Sequence, residues 1–221
     1  MNSETIRHSS LHRLYYQFLD NEDSAGFIRA VTARYTLATL ERLAAYGSFH
    51  ARRAAVLAIS FVGDYRQNSI LGRSLLDSDR GVRLLADNGI REIWRRDGNQ
   101  HQRQTLARLV RLNLARNSHE ALRVAESLID EVPWFAEVWN QRAIAFYHLR
   151  DYEASANDCH QTLELNPYHF PAAVGMAHCY LELQEGFAAL ECFRRALRLN
   201  PDLEDVRLQV DYLQKSLEER S

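Results

Sequence analysis

The stretch LELNPYHF, at positions 163–170, returns almost unchanged as LRLNPDLE at positions 197–204. The interval is 34 residues, and the same interval separates Pro133, Pro167 and Pro201. Self-similarity at a fixed period of this length indicates repeated supersecondary units, each of which buries an apolar face against its neighbours. The sequence therefore predicts a repeat architecture for this part of the chain.

The segments between these prolines align without a gap, and each has the pattern of two helices. Trp139, Ala143 and Phe146 recur at helical spacing, so they share one face of a first helix. Asp151 is placed to cap a second helix. The Asn-Pro pair ends that helix, because the residue before a proline is disfavoured in the α conformation. The aligned pairs are Trp139 with Ala173, Ala143 with Ala177, Phe146 with Tyr180, Ser155 with Ala189, Cys159 with Phe193, and Thr162 with Ala196.

This pattern resembles the tetratricopeptide repeat (TPR) over residues 136–167 and 170–201. The resemblance implies that small residues lie where the helices of a hairpin approach closely, here Ala143, Ala177 and Ala189. Arg142 departs from the pattern, which has an apolar residue at that place. We interpret residues 102–133 as a degenerate first repeat and residues 202–219 as a solvated helix that caps the last one.

A different period occurs earlier in the chain, around the phrase DSDRGVRLLA at positions 77–86. A shift of 31 residues places Arg52 on Arg83 and Ile59 on Ile90. The phrase resembles HEAT repeats, in particular the short HEAT-like repeats of phycobilisome lyases, in units near 36–62 and 66–96.

The HEAT-like resemblance implies a ladder of Asp and Arg side chains between stacked units. Asp79 is expected to cap a helix, Val82 to point inward, and Arg83 to reach an acidic group such as Asp77. In the preceding unit Tyr46 replaces that acid, so Arg52 is expected to lack a partner.

The predicted fold class is all-α, an α-solenoid of helical hairpins in which a HEAT-like stack is followed by a TPR stack. The HEAT-like region is placed at 1–98 and the TPR region at 99–221, with the polar run at 95–104 as their boundary. An amphipathic stretch from about His8 to Arg34 is expected to cap the open end. No alternating strand pattern of any length is present.

Composition favours a folded protein in a reducing compartment. Apolar residues make up 46% of the 221 residues and charged residues 25%. The three cysteines form no C-x-x-C pair, and the polar start of the chain has no apolar signal region, so a cytoplasmic location is predicted. The longest apolar run, 54–63, is too short to span a membrane.

Charge is unevenly distributed along the chain. Residues 1–116 carry 18 Arg against 11 acids, and residues 117–221 carry 9 basic residues against 18 acids. This asymmetry allows attraction within one chain or head-to-tail association between chains.

Sequence motifs for catalysis or cofactor binding are not found, and we predict no catalytic residue, cofactor or metal site. Cys159-His160 and His178-Cys179 could be imagined as zinc ligands, but adjacent helical residues point about 100° apart, which favours buried thiols. His8 and His12 share a helix face without a third ligand and are interpreted as exposed histidines.

Two surfaces are candidates for binding. The TPR resemblance implies a concave groove formed by the first helix of each repeat, flanked by Glu137, Pro171 and Glu182 and without the basic clamp of TPRs that bind chaperone tails. Its predicted lining residues are Asn140, Ile144, Tyr147, His148, Val174, His178 and Leu181. The second candidate is an Arg-rich patch made of Arg91, Arg95, Arg96, Arg103, Arg108, Arg111 and Arg116.

The leading hypothesis is a non-enzymatic adaptor that binds a peptide or partner helix in the groove; the residues could also be the exposed side of a spacer. Nucleic-acid or acidic-partner binding by the Arg-rich patch is the alternative, although only Trp94 provides an aromatic ring there. The patch is also explained by solvation or by pairing with the acidic half. Chromophore-lyase-like activity, suggested by the HEAT-like resemblance, is the least favoured hypothesis.

Overall fold

The computed structural model describes residues 10–219, and within them it contains helices and no β-strand, which confirms the predicted all-α class. A short 3-10 helix, Tyr65–Gln67, joins the α-helices. The α-helices are α1 (Ser10–Asn21), α2 (Ser24–Thr32), α3 (Leu37–Tyr46), α4 (Phe49–Val62), α5 (Asn68–Ser74), α6 (Arg80–Arg95), α7 (Gln100–Leu114), α8 (Ser118–Glu131), α9 (Ala136–His148), α10 (Tyr152–Leu165), α11 (Phe170–Glu182), α12 (Gly186–Leu199) and α13 (Glu204–Glu218).

The chain forms two compact units, one ending at Ile93 and the other beginning at Trp94. The division falls in the last turn of α6. The repeat regions 1–98 and 99–221 remain a proposal, because compactness alone does not define where a repeat begins.

In the N-terminal unit, α3 and α4 pack against each other, and α1 and α2 pack on α4. Leu11, Leu40 and Ile59 are fully buried in its core. Gly89 of α6 is required for a close approach, because an added Cβ would lie 1.7 Å from the Oγ of Ser60.

Arginine–aspartate pairs are present in this unit, but one of them differs from the prediction. Arg52 was expected to lack an acidic partner, and this is wrong: its Nε and Nη2 donate to Asp77, both at 2.7 Å. Arg83 instead donates to the backbone carbonyl of Asp77 at 2.9 Å. Arg53 pairs in the same bidentate way with Asp79, and the same carboxylate accepts from the Val82 N–H, as a helix cap should.

The C-terminal unit is a series of helix pairs in which each helix packs on the next, from α7 to α13. Ala143, Ala177 and Ala189 are buried at 0–1% exposure, as the repeat pattern predicts. The Ser155 hydroxyl donates to the Ala143 carbonyl at 2.8 Å, which ties α10 to α9. Val206 and Val210 of α13 are buried against the apolar core of the last repeat, so this helix covers it.

Helix ends repeat with the sequence period. Asp151 caps α10 by accepting from the Ala154 N–H, as predicted. The second residue after each of α7, α9 and α11 has a left-handed conformation, with φ of 57° at Arg116, 64° at Arg150 and 63° at Gln184. Because the degenerate segment shares this turn, the period extends to it at the level of the backbone.

Candidate functional site

A cavity of about 350 Å³ lies between the first helices of the two matched repeats, α9 and α11. Ala143, Ile144 and Tyr147 line it from α9, and Gly175 and His178 line it from α11. A cavity of this volume lies at the lower end of the range for ligand pockets and can hold one large side chain.

Small residues at its floor leave this space open. Ser155 and Cys159 of α10 line it, and an added Cβ on Gly175 would lie only 3.2 Å from the Cys159 Sγ. The Ser155 hydroxyl is bonded to the Ala143 carbonyl and accepts from the Cys179 thiol at 3.1 Å. The polar groups of the floor are therefore satisfied within the fold.

Two imidazoles complete the walls. Burial lowers the pKa of His178. The pKa of His148 is lowered mainly by burial and to a smaller extent by the positive charge of Arg116. Both rings are therefore neutral at pH 7. The Nδ1 of His148 is buried and has no hydrogen-bond partner among the described residues.

The structure brings five of the seven predicted groove residues to this cavity and leaves two outside it. The five are Asn140, Ile144, Tyr147, His148 and His178. Val174 packs on the apolar core instead, and Leu181 is exposed, at 38%, outside the lining. Tyr147 both lines the cavity and packs on this core, and its ring centroid lies 5.3 Å from that of Tyr152.

A buried polar cluster, which sequence reasoning missed, lies beside the cavity. Glu137 was predicted to flank the groove, but it is 6% exposed and accepts from Gln141 at 2.8 Å. Its other oxygen lies 2.9 Å from the Nε2 of His169, and Trp94 stacks on that imidazole at 4.3 Å. Burial alone would raise the pKa of Glu137, but His169 and Gln141 hold it below its ordinary value.

The departure at Arg142 has a structural reason. Its guanidinium makes a bidentate pair with Asp158 on α10, at 2.7 and 2.8 Å, and lies over the Trp139 ring at 4.8 Å. The unexpected arginine and the aspartate on the neighbouring helix therefore satisfy each other. The repeat pattern could not indicate this ion pair, because it compares each position with its equivalent in the next repeat and not with the residue that it contacts on the neighbouring helix.

The predicted Arg-rich patch is distributed over several elements. Arg91 and Arg95 lie on α6, Arg96 follows it, Arg103, Arg108 and Arg111 lie on α7, and Arg116 lies in the turn after α7. Arg108 pairs with Glu120 at 2.6 Å, and Arg91 pairs with Asp87 at 3.5 Å. Part of its charge is therefore neutralised within the chain.

The four residues considered as zinc ligands do not all meet at one point: the Cys159 and Cys179 thiols interact with each other, but His160 lies apart from them. Cys159 and Cys179 are buried free thiols, as predicted, whereas His160 is exposed and faces Glu164 at 3.9 Å. His8 lies outside the described residues, and the ring of His12 lies 4.8 Å from that of His50. Between residues 10 and 219 no group of three His, Cys, Asp or Glu side chains could hold a metal ion.

Among the described helices none has both the length and the apolar character needed to cross a membrane.

Protein-family models give no match to the chain. A TPR repeat-containing protein of Rhizobium etli is 30% identical over 97 residues, which is 44% of this chain and 48% of the relative. The chain thus spans about half the length of the curated relative that it matches.

Solved structures give a similar result. The first TPR of Spaghetti, bound to the HSP90 peptide SRMEEVD, has a TM-score of 0.52 at 18% identity and covers 55% of this chain and 96% of its own. A TPR protein of Thermus thermophilus has a TM-score of 0.41 at 18% identity and covers 92% of this chain and 97% of its own. The yeast Sti1 TPR2AB domain complexed with pHSP90 has a TM-score of 0.47 at 14% identity and covers 92% of this chain and 95% of its own. Both TM-scores fall below the level that establishes a shared fold.

None of these proteins is described as a HEAT-repeat protein, so the HEAT-like assignment of the N-terminal part is not confirmed. The chain is thus similar in sequence to a TPR repeat-containing protein over part of its length, and its stacked helix pairs resemble the fold of a TPR domain.

Proposed function

We propose that this chain is a protein-interaction scaffold that anchors a partner by inserting one large apolar side chain into the cavity between α9 and α11. The single observation that supports the proposal is the cavity itself, an uncharged recess lined by Ala143, Ile144 and Tyr147 and open between the repeats. An apolar side chain that enters such a recess gains affinity from burial.

The chemistry of the cavity favours an extended peptide or a partner helix over an acidic tail. Among the described residues, those that line it include no Lys or Arg, so a carboxylate would lose its hydration without gaining a cation. This ligand differs from the acidic peptide carried by the TPR domain of Spaghetti.

A peptide display library selected on the full chain tests this function. We expect the enriched peptides to share one large apolar residue and no requirement for a free C-terminal carboxylate. The same library is counter-selected on the variant Ile144→Glu, which places a charge in the cavity. The variant Leu181→Glu is the matched control, because Leu181 lies on α11 outside the cavity lining. Equal enrichment on the native chain and on Ile144→Glu would contradict the proposal.

The proposed role is non-enzymatic and cytoplasmic. The three buried free thiols support a reducing compartment. Co-expression with bilin pigments tests the lyase alternative, since a chromophore lyase would retain or transfer the pigment. A filter assay across a salt series tests nucleic-acid binding by the Arg-rich patch, because phosphate contacts lose affinity steeply as salt rises.

A further inference from the structure

A second cavity, of about 310 Å³, lies within the N-terminal unit between α3 and α5. Arg42 and Tyr46 line it from α3, where they are one helical turn apart, and Ser69 and Arg73 line it from α5 with the same spacing. Arg66 completes it from the 3-10 helix. The fold thus gathers three guanidinium groups and two hydroxyl groups around one space.

The charge of this cleft is only partly neutralised by the residues around it, and an excess of one positive charge remains. Glu41 also lines the cleft and keeps its negative charge, and one of its carboxylate oxygens accepts from the Gln67 amide at 2.8 Å. Arg66 is paired with Asp64, to which its Nη2 donates at 2.7 Å. The guanidinium groups of Arg42 and Arg73, in contrast, make no hydrogen bond or ion pair with any described residue.

We propose that this cleft binds the dianionic phosphoryl group of a phosphate monoester. Two unpaired guanidinium forks can each donate two hydrogen bonds, and the hydroxyls of Ser69 and Tyr46 add further donors. A carboxylate has two oxygens and is satisfied by one such fork, whereas a phosphoryl group presents three oxygens and two charges. The number and sign of the donors therefore fit phosphate better than carboxylate.

The size of the cleft allows an organic group to remain attached to the phosphate. Its volume is at the lower end of ligand pockets and larger than a phosphoryl group needs. The Tyr46 ring, 87% exposed, provides a flat surface against which that group can stack. A small metabolite and a phosphorylated side chain share this chemistry.

Calorimetric titration of the full chain with phenyl phosphate tests the proposal. We expect saturable binding of one equivalent, and a loss of affinity of about tenfold or more in Arg42→Gln with Arg73→Gln, because two charge-assisted contacts are removed. The double variant Arg13→Gln with Arg29→Gln is the control. Both of these arginines are exposed and lie in the same unit, and their substitution removes the same net charge. No saturable binding, or an equal loss in the two double variants, would overturn the proposal.

Two further arms identify the ligand chemistry. Affinity for phenyl phosphate should rise between pH 5 and 7, because the second phosphate ionisation lies near pH 6, and benzoate should bind at least tenfold more weakly. A phosphotyrosine peptide that binds more tightly than phenyl phosphate would indicate a protein source, and weaker peptide binding a small-molecule source. An oligonucleotide that competes better per phosphate than phenyl phosphate would overturn the assignment, because its phosphodiesters are monoanions.

Discussion

At the residue scale, the close approach of α11 and α12 depends on small side chains. Ala177 is fully buried at this approach, together with Ala189. Ala177→Leu adds volume to a filled hairpin, so we expect a loss of about 1–3 kcal/mol in the free energy of unfolding. Chemical denaturation measures it, and Ala107→Leu, at an exposed position of α7, is the control. An unchanged midpoint for Ala177→Leu would count against the repeat register.

Asp79 links a single side chain to the pH dependence of stability. Its hydrogen bonds to Arg53 lower the pKa of Asp79 from 3.8 to about 2 in the fold. A carboxyl with a lower pKa in the folded chain stabilises the fold above its unfolded pKa and loses that contribution as pH falls. We therefore expect Asp79 to contribute stability above about pH 4 that is lost between pH 3.8 and about 2.

Denaturation curves of the native chain and Asp79→Asn across this pH range isolate the contribution of Asp79, because Asp64 and Asp77 titrate in both proteins. The stability difference between the two proteins should shrink as pH falls. A difference that stays constant from pH 6 to pH 2 would show that the carboxylate charge of Asp79 is not involved.

At the element scale, the turn between the helices of each repeat carries a backbone cost. Gln184 has a φ of 63°, a region that glycine occupies without strain. Gln184→Gly should therefore stabilise the fold by up to about 1 kcal/mol, offset in part by the greater freedom of glycine in the unfolded chain. Thermal denaturation measures the change. Glu191→Gly, at an exposed position in the middle of α12, should destabilise by about 1 kcal/mol, and the same sign for both substitutions would contradict this explanation.

The helices were the most predictable level of this molecule. Helix ends, caps and close contacts between paired helices depend on residues near one another in the sequence, so they can be deduced from it. Examples are Pro167 and Pro201 at helix ends, the cap at Asp151, and the spacing of Ala143 and Ala177. The left-handed turn residues could not be predicted, because Arg116, Arg150 and Gln184 are neither glycine nor asparagine, the residues that favour this conformation, and only their 34-residue spacing relates them.

The binding surfaces were less predictable, because they depend on which side chains meet across helices. The repeat pattern singles out Ile144 and His178, which line the cavity, but the space beneath them depends on the small residues Gly175, Ser155 and Cys159, whose effect on the cavity the pattern does not indicate. The arginine cleft in the N-terminal unit joins positions far apart in sequence, so no motif indicates it.

At the scale of the whole molecule, the opposite charges of the two parts of the sequence allow attraction within one chain or head-to-tail association between chains. Residues 1–116 have an excess of arginine and residues 117–221 an excess of acids. At low ionic strength we expect the apparent mass in sedimentation to increase with protein concentration, and to return to that of a monomer as salt shortens the Debye length below about 10 Å. A constant monomer mass across both series would exclude head-to-tail pairing.

The measurement that tests the proposed function most directly is a double-mutant cycle between the chain and one selected peptide. The native chain and Ile144→Glu are each titrated with the peptide and with a copy in which its apolar anchor is replaced by alanine. If the anchor occupies the cavity, each single change weakens binding by about tenfold or more, and the two together add little further loss. Leu181→Glu should leave the affinity within about threefold of native. Independent, additive losses, or a larger loss for Leu181→Glu than for Ile144→Glu, would show that the partner binds elsewhere.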